Sequence, residues 1–280
     1  MSVECYLTTD KAVRITIRKV NKILGVIPAR YASTRFPAKP LVDIGGKSMI
    51  QRVYEQAMKA NSLAKVVIAT DDDRIFNHVL SFGGEVVMTS IKHSSGTDRC
   101  FETFQIISRA ERKKQGKLYR KYDYIINIQG DEPFIQPEQI DILANCLTEK
   151  TELATLVKQI EDEASLFNPN TPKVVFDNNH EAIYFTRQTV PYLRGIEKEK
   201  WLDTHNYFKH IGIYAYRVDI LKKITKLPMA LLERVESLEQ LRWLANGYKI
   251  KIAESPFDSF GIDVPADLEQ AILRLNKQME

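Results

Sequence analysis

Cysteine is scarce in this chain. Cys5, Cys100 and Cys146 are odd in number, far apart and not in C-x-x-C spacing. That argues against a disulfide framework and against a zinc site, and it fits a reducing compartment, so a cytoplasmic location is expected. Long apolar runs are missing as well. None approaches the roughly 18 residues of a membrane span, and the cationic N-terminus lacks the apolar stretch of a secretory signal, so no membrane insertion is expected. Charge of one sign is not in excess: 40 Lys and Arg face 36 Asp and Glu, for a net +4. The one basic run, Arg109 to Lys121, has no nucleic-acid-binding motif beside it and reads as a solvated loop or helix end. No nucleic acid is expected as a partner. Internal repeats and low-complexity tracts are absent.

The glycine fingerprints of the common nucleotide folds are missing too. The apolar strand Ile23–Ile27 leads into neither G-x-x-x-x-G-K-[ST] nor G-x-G-x-x-G, which removes the signature of P-loop ATPases and of dinucleotide-dependent oxidoreductases. Instead the strand breaks at Pro28 and runs into a loop carrying Arg30, Arg35 and Lys39. Three cations on one loop make a poor core and a good cradle for a polyphosphate.

With 280 residues, 44% of them hydrophobic, the chain suits one large α/β domain or two small ones and has length enough for a well-buried core. Short β-rich apolar runs alternate with helical patterns. Strands are expected at Ile23–Ile27, Lys65–Thr70, Glu85–Met88, Tyr124–Gln129 and Leu153–Val157, and helices at Ser48–Ala60, Asp73–Phe82, Gly96–Arg109 and Pro137–Leu147. This order predicts a mostly parallel sheet with helices on both faces. Lys173–Phe176, Ala182–Phe185 and His210–Tyr216 are short strands joined by polar loops and read as a smaller mixed β insertion. Leu231–Leu244 is expected as one helix, Lys249–Glu254 as a strand and Pro265–Gln278 as a final helix. Residues 1–22 form an extension outside the core, with an edge strand expected at Val13–Ile17. Residues 23–280 are expected to form a single domain, with 172–216 as the smaller β lobe.

Ligands of such sheets bind beyond the carboxyl ends of the strands. Asp131, after the buried run IINIQ and a glycine, stands there. It suits Mg²⁺, or else it caps a turn. Asp263, in FGIDVPADLE, reads alone as a helix-entry residue; paired with Asp131 it becomes a second carboxylate for one metal. The stretch HSSGTDR (His93–Arg99) opens a helix whose backbone amides suit an anion or a base edge, or is an ordinary capped start. His210 is a lone histidine beside an apolar strand, more often structural. Arg187 suits bidentate carboxylate binding or a surface strand. Glu236 and Gln240 are i,i+4 neighbours on the expected helix, where solvated polarity is the default.

Taken together, VIPARYASTRFPAKPL, ATDD, SSGTDR, NIQGDEPFI, FNPNTPKVV, YFTR, KHIGIYAY, ESLEQLR and GIDVPADLE stand in the order of the 3-deoxy-manno-octulosonate cytidylyltransferases, the CMP-Kdo synthetases of Gram-negative bacteria, and the chain resembles that family from about Ile23 onward. The resemblance implies a Rossmann-like nucleotidyltransferase fold, CTP and Kdo as substrates, Mg²⁺ as cofactor, a role in lipopolysaccharide biosynthesis and a homodimer formed through the 172–216 lobe. It implies that Arg30, Ser33, Arg35 and Lys39 bind the triphosphate, with Thr70, Asp71, Ser95, Gly96 and Thr97 around the cytidine. Asp131 and Asp263 would hold the metal and, with Arg30 and Lys39, carry catalysis. Gln129, Arg187, His210, Glu239 and Gln240 would face the sugar acid. The chain departs from the family in carrying Phe36 and Ala38 where the loop often reads L-P-G-K, and Asp98 for a common glutamate. Alanine takes positive φ less readily than glycine, so the loop need not follow the family's path. The nearest alternative is the same transfer to another 2-keto sugar acid, such as sialic acid. The alternative of another class is a non-catalytic nucleotide-binding regulator, against which the presence of both aspartates stands.

Overall fold

The computed structural model describes residues 21–32 and 36–279, with side chains described to residue 275. Ser33, Arg35 and the strand expected at Val13–Ile17 lie outside the described residues. The elements in chain order are β1 (Ile23–Ala29), α1 (Met49–Ala57), β2 (Leu63–Thr70), α2 (Asp73–Ser81), β3 (Val86–Met88), α3 (Gly96–Gln115), β4 (Tyr124–Asn127), α4 (Pro137–Asn145), β5 (Leu153–Gln159) and α5 (Glu163–Phe167). They continue with β6 (Lys173–Phe176), β7 (Ala182–Thr186), α6 (Trp201–Thr204), β8 (Phe208–Arg217), α7 (Val218–Ile224), α8 (Leu231–Glu236), α9 (Gln240–Ala245), β9 (Ile250–Glu254) and α10 (Pro265–Met279).

Strand β1 alternates its side chains between two cores. Ile23, Ile27 and Ala29 pack with Ile50, Val53 and Tyr54 of α1, Ile75 and Val79 of α2, and Ile140 and Leu143 of α4. Leu24 and Val26 point the other way, onto Cys100, Phe104 and Ile107 of α3 with Ile220 of α7 and Leu241 and Trp243 of α9. A strand buried on both faces has no polar side, which is why its sequence is continuously apolar. The helices start where short polar side chains can hold their first N–H groups: Ser48 accepts from Gln51 N, Asp72 from Arg74 N and Ser95 from Asp98 N.

The sheet runs β3-β2-β1-β4-β8-β5-β9, with β6 and β7 attached at the start of β8. Neighbours are parallel except at β8, which is antiparallel to both β4 and β5. The mostly parallel sheet is as expected, but β8 is not part of a peripheral insertion. It is an interior strand of the main sheet, paired along its length, and only β6 and β7 form the outlying hairpin. A second difference concerns Leu231–Leu244. Ser237 takes a left-handed conformation (φ 52°) and splits this stretch into α8 and α9. Glu236 and Gln240 therefore do not share a helix face.

Register decides what meets at the carboxyl edge. Ala29 lies opposite Thr70, and Val26 opposite Asn127. The ends of β1 and β2 are thus level, β4 stops short of them at Asn127, and the antiparallel β8 brings its beginning, with His210, to the same edge. The segment before α10 reaches it from outside. Ile262 is buried with Ile44, Met49 and Ala271, and its backbone N–H donates to Asp131 O (3.0 Å).

Candidate active site

The loop after β1 closes on itself. Ala38 N donates to Tyr31 O (3.1 Å) and Leu41 N to Ala38 O (2.8 Å). Ala38 takes the left-handed conformation (φ 57°, ψ 15°) that glycine would adopt without strain, so the loop makes the turn despite its alanine. The next residue, Lys39, donates from Nζ to Asp131 Oδ2 (2.7 Å) and Asp263 Oδ1 (3.2 Å). Residues separated by up to 224 positions meet at one ammonium group. Asp131 gets there because Gly130 passes close to β1: a Cβ at Gly130 would lie 2.7 Å from Pro28 O. Asp263 is held by the Ile262 bond to Asp131 O and by Asp267, whose carboxylate accepts from Asp263 N (2.8 Å) and Val264 N (3.0 Å).

Two carboxylates that reach one ammonium also stand close enough to share a metal ion. Their hard oxygen donors suit Mg²⁺, which takes one or two protein carboxylates and completes its shell with phosphate and water. Among the described residues no cluster of three or more His, Cys, Asp or Glu is placed to hold a metal. Next to it, burial and the Asp131 charge push the pKa of the Glu132 carboxyl up to about 8.

Among the residues expected to bind the nucleotide, Arg30 donates from Nη2 to His93 O (2.6 Å). Burial and the nearby Arg99 lower its pKa, opposed by Asp71 and Asp98. Thr70 is fully buried, and its carbonyl accepts from Thr89 N and Thr89 Oγ1. Asp71 accepts from Arg99 Nη2 (2.6 Å), while Arg99 Nη1 donates to Thr89 Oγ1. Arg99 is completely buried and was not singled out from sequence. Its signal was there: it sits beside Cys100 and four residues before Thr103 on the inner face of α3, and a buried arginine needs a carboxylate. Ser95 caps α3, and Gly96 packs beside Asn127 and Pro28. Thr97 turns inward, where its Oγ1 donates to Glu239 Oε2 (2.9 Å).

The residues expected to face the sugar acid are spread around the far side. Gln129 donates from Nε2 to Gly212 O (2.7 Å). His210 Nε2 meets Thr155 Oγ1 at 2.9 Å, and removal of solvent lowers its pKa to about 3. The ring is therefore neutral near pH 7 and binds as a hydrogen-bonding group, not as a cation. Arg187 donates to two backbone carbonyls, Glu236 O (2.7 Å) and Pro169 O (3.0 Å), while Glu236 accepts from Thr186 Oγ1 (2.7 Å) and Arg187 N (3.0 Å). These bonds tie the end of β7 to the α8–α9 junction. Gln240 is buried, with no partner for Nε2 among the described residues. A cavity of about 310 Å³ lined by Lys150, Glu181, Arg217 and Lys249 lies at the opposite sheet edge. Two of its charged pairs are Lys249 with Glu181 and Arg217 with Asp219.

No helix among the described residues is long and apolar enough to cross a membrane. The cytidylyltransferase family model matches residues 24–251. A 3-deoxy-manno-octulosonate cytidylyltransferase of Cytophaga hutchinsonii is 58% identical over 247 residues, covering 88% of this chain and 94% of that protein. An 8-amino-3,8-dideoxy-manno-octulosonate cytidylyltransferase of Shewanella pealeana is 47% identical over 255 residues, covering 89% and 97%. Among solved structures, CMP:2-keto-3-deoxy-manno-octonic acid synthetase complexed with CTP superposes with a TM-score of 0.81 at 39% identity, covering 92% of this chain and 99% of that one. A 4-diphosphocytidyl-2C-methyl-D-erythritol synthase from Anaerococcus prevotii shares the fold, with a TM-score of 0.57 at 13% identity over 91% of this chain and 96% of that one. With the sheet, the closed cationic loop and the paired aspartates in place, these likenesses establish that the chain belongs to the 3-deoxy-manno-octulosonate cytidylyltransferase family.

Proposed function

We propose that this protein transfers CMP from CTP to the anomeric hydroxyl of 3-deoxy-D-manno-octulosonate (Kdo), releasing pyrophosphate and giving the activated sugar used in lipopolysaccharide biosynthesis. The observation that carries the reading is the meeting of Lys39, Asp131 and Asp263 at the end of the cationic loop. The sugar hydroxyl attacks the α-phosphate in line. The protein's part is positioning and charge neutralisation, with little covalent work of its own. Arg30 and Lys39 stabilise the charge that grows on the leaving pyrophosphate, and Arg35 and Ser33 of the same loop contribute to triphosphate binding. Asp131 and Asp263 would hold Mg²⁺, which when bound supplies charge neutralisation at the phosphate and lowers the pKa of a coordinated hydroxyl. Thr70, Asp71, Ser95, Gly96 and Thr97 surround the cytidine, with Asp71 oriented by Arg99. Gln129, Arg187, His210, Glu239 and Gln240 form the sugar-acid side.

A second acceptor has a specific observation behind it, the 47% identity to the enzyme named for the 8-amino sugar. Pyrophosphate release from CTP with Mg²⁺, measured over Kdo, its 8-amino analogue and sialic acid, separates the readings. The expected result is release with Kdo at the highest kcat/KM. Preference for the 8-amino analogue or for sialic acid would reassign the acceptor, and no release with any acid would favour the non-catalytic regulator. We further propose that the protein works in the cytoplasm as a homodimer whose interface includes the β6–β7 hairpin and α8. Ile183, Leu231 and Val235 there are apolar and exposed, and light scattering in solution tests the dimer.

A further inference from the structure

From Thr97 on the cytidine side and Glu239 on the sugar-acid side, a buried polar chain runs back to Tyr216 and Asn127, which have no assigned contact with either substrate. Thr97 Oγ1 lies 2.9 Å from Glu239 Oε2 and 3.3 Å from Tyr216 Oη; Tyr216 Oη lies 3.3 Å from Asn127 Nδ2. Thr97 and Tyr216 are fully buried and Asn127 nearly so. Hydrogen counting sets the direction. An ionised carboxylate only accepts, so the single Thr97 proton goes to Glu239. Tyr216 must then donate to Thr97, and its oxygen is left to accept from the Asn127 amide. That places Asn127 Oδ1 on the other side, where it is buried with no partner among the described residues. Every donor points toward Glu239, and bonds in such a chain polarise one another.

The chain also spans three elements: Asn127 ends β4, Tyr216 belongs to the interior strand β8, and Thr97 stands in the first turn of α3. Glu239 is the residue just before α9. The rings of Tyr214, Tyr216 and Trp243 pack together beneath it, so Tyr216 cannot swing away. We propose that Asn127, Tyr216 and Thr97 are positioning residues for the transfer reaction: a hydrogen-bond chain that holds the Glu239 carboxylate fixed where the nucleotide-side helix α3 meets the sugar-acid-side helix α9. This rests on the proposed sugar-acid role of Glu239.

Burial leaves the pKa of Glu239 raised overall; bonds from Thr97 and Ser95 and the charge of Arg242 on α9 limit the rise, and Asp98 on α3 adds to it. Cys100 on α3 and Tyr214 and Tyr216 on β8 also face Glu239, and burial pushes their pKa values well up, so they are neutral over the working range. Arg242 is held bidentate by Glu233 and stays charged. The hydrogen-bond chain is thus the removable part of what limits the rise in the pKa of Glu239.

The test is steady-state kinetics of the full chain with CTP, Mg²⁺ and Kdo across pH, for Tyr216→Phe, Thr97→Val, Thr97→Ser, the Thr97→Val/Tyr216→Phe double variant and Glu239→Gln, with thermal midpoints for each. Thr97→Val is expected to raise KM for Kdo about tenfold and Tyr216→Phe about threefold, in line with losing one bond to a charged group or its support. Tyr216→Phe should leave KM for CTP within about twofold. In both, the acid limb of kcat/KM moves to higher pH, since a carboxylate that loses hydrogen bonds binds its proton more tightly. Thr97→Ser restores the wild-type profile, and the double variant is no worse than Thr97→Val, because Tyr216 acts only through Thr97. Should Tyr216→Phe fail to fold, the near-isosteric Thr97→Val carries the test. Wild-type KM and an unshifted acid limb in Thr97→Val, beside a raised KM in Glu239→Gln, would overturn the positioning chain alone. Wild-type KM for Kdo in Glu239→Gln would overturn the sugar-acid assignment itself, and the chain with it.

Discussion

The two ends of the site are held by opposite kinds of contact. At the triphosphate end, Lys39 bridges Asp131 and Asp263, whose side chains are 31% and 52% exposed. In the interior, Thr97, Tyr216 and Asn127 are at most 5% exposed and hydrogen-bonded to one another, and the equally buried Arg99 is paired with Asp71. An ion pair in contact with water contributes about 0–1 kcal/mol, so Lys39 can leave its carboxylates for phosphate at little cost. A buried polar group that loses its partner costs about 1–3 kcal/mol, so the rear network does not rearrange. The front is built to exchange partners and the rear to keep them. That division suits a transferase, whose triphosphate comes and goes at every turnover while the base and sugar must be held in line.

The largest expected effect breaks the front alone. Asp131→Asn should lower kcat by at least about 10³-fold, since it removes charge where a phosphate-bound cation is stabilised. Its unfolding free energy should move by about 1 kcal/mol, because the pair with Lys39 is half-buried but still reached by water. Pyrophosphate release together with a urea titration reads both quantities. Near-normal turnover would sink the metal assignment, and a large loss of stability would show that the front is structural after all.

Gly130→Ala asks whether the front depends on the backbone beneath it. The added Cβ meets the Pro28 carbonyl at 2.7 Å, an overpacked contact that should cost about 1–3 kcal/mol and displace Asp131. Stability and kcat should therefore fall together, unlike in Asp131→Asn. A stable variant with wild-type kcat would remove Gly130 from the account.

At the rear, the pH dependence of stability has a named source. The folded pKa of His210, about 3, lies below its ordinary value of 6.5. Between those values the unfolded chain binds a proton that the folded protein does not. Stability present above pH 6.5 is therefore lost as pH falls toward the folded pKa. His210→Gln should flatten that limb, measured as the difference in urea midpoint between about pH 7 and about pH 5. An equally steep limb in the variant would place the dependence elsewhere.

The smallest effect sharpens the contrast inside the phosphate loop. Ala38 holds φ 57°, a conformation that costs an L-residue about 1–2 kcal/mol. Ala38→Gly removes that strain but adds about 0.4–1 kcal/mol of chain entropy in the unfolded state. The net stabilisation should be roughly 0.5 kcal/mol, visible as a small rise in thermal midpoint. Destabilisation would show that alanine suits the loop as it stands.

How much of this was legible in the sequence varies with the range of the interaction. The β1 strand, the first four helices and the final helix carry their signals locally, in apolar spacing and in caps such as Ser48 and Asp72. The break at Ser237 was not legible. Leu231–Leu244 keeps helical spacing, and the left-handed turn goes with the burial of Leu238 and Gln240 and the bond from Thr97 to Glu239, contacts made with other elements. The placement of β8 was not legible either. An antiparallel strand between two parallel ones has the same apolar sequence as a hairpin strand, and pairing partners far along the chain decide which it becomes. Arg99 was hidden for the same reason: within SSGTDR it reads as a charge at a helix start, and its carboxylate is 28 positions away.

By itself, the sequence determined the alternation of strands and helices, the cationic loop behind the first strand and the two acidic segments, because periodicity, turns and charge are properties of neighbouring residues. Its ordered motifs also pointed to a family. Only the tertiary structure decided that Lys39 stands between Asp131 and Asp263, that Thr97 turns to Glu239 and that β8 carries Tyr216 into the middle of the sheet. Those are agreements between residues up to 224 positions apart. They are set by strand register and by which side chains can be buried together, and no local stretch of sequence records either.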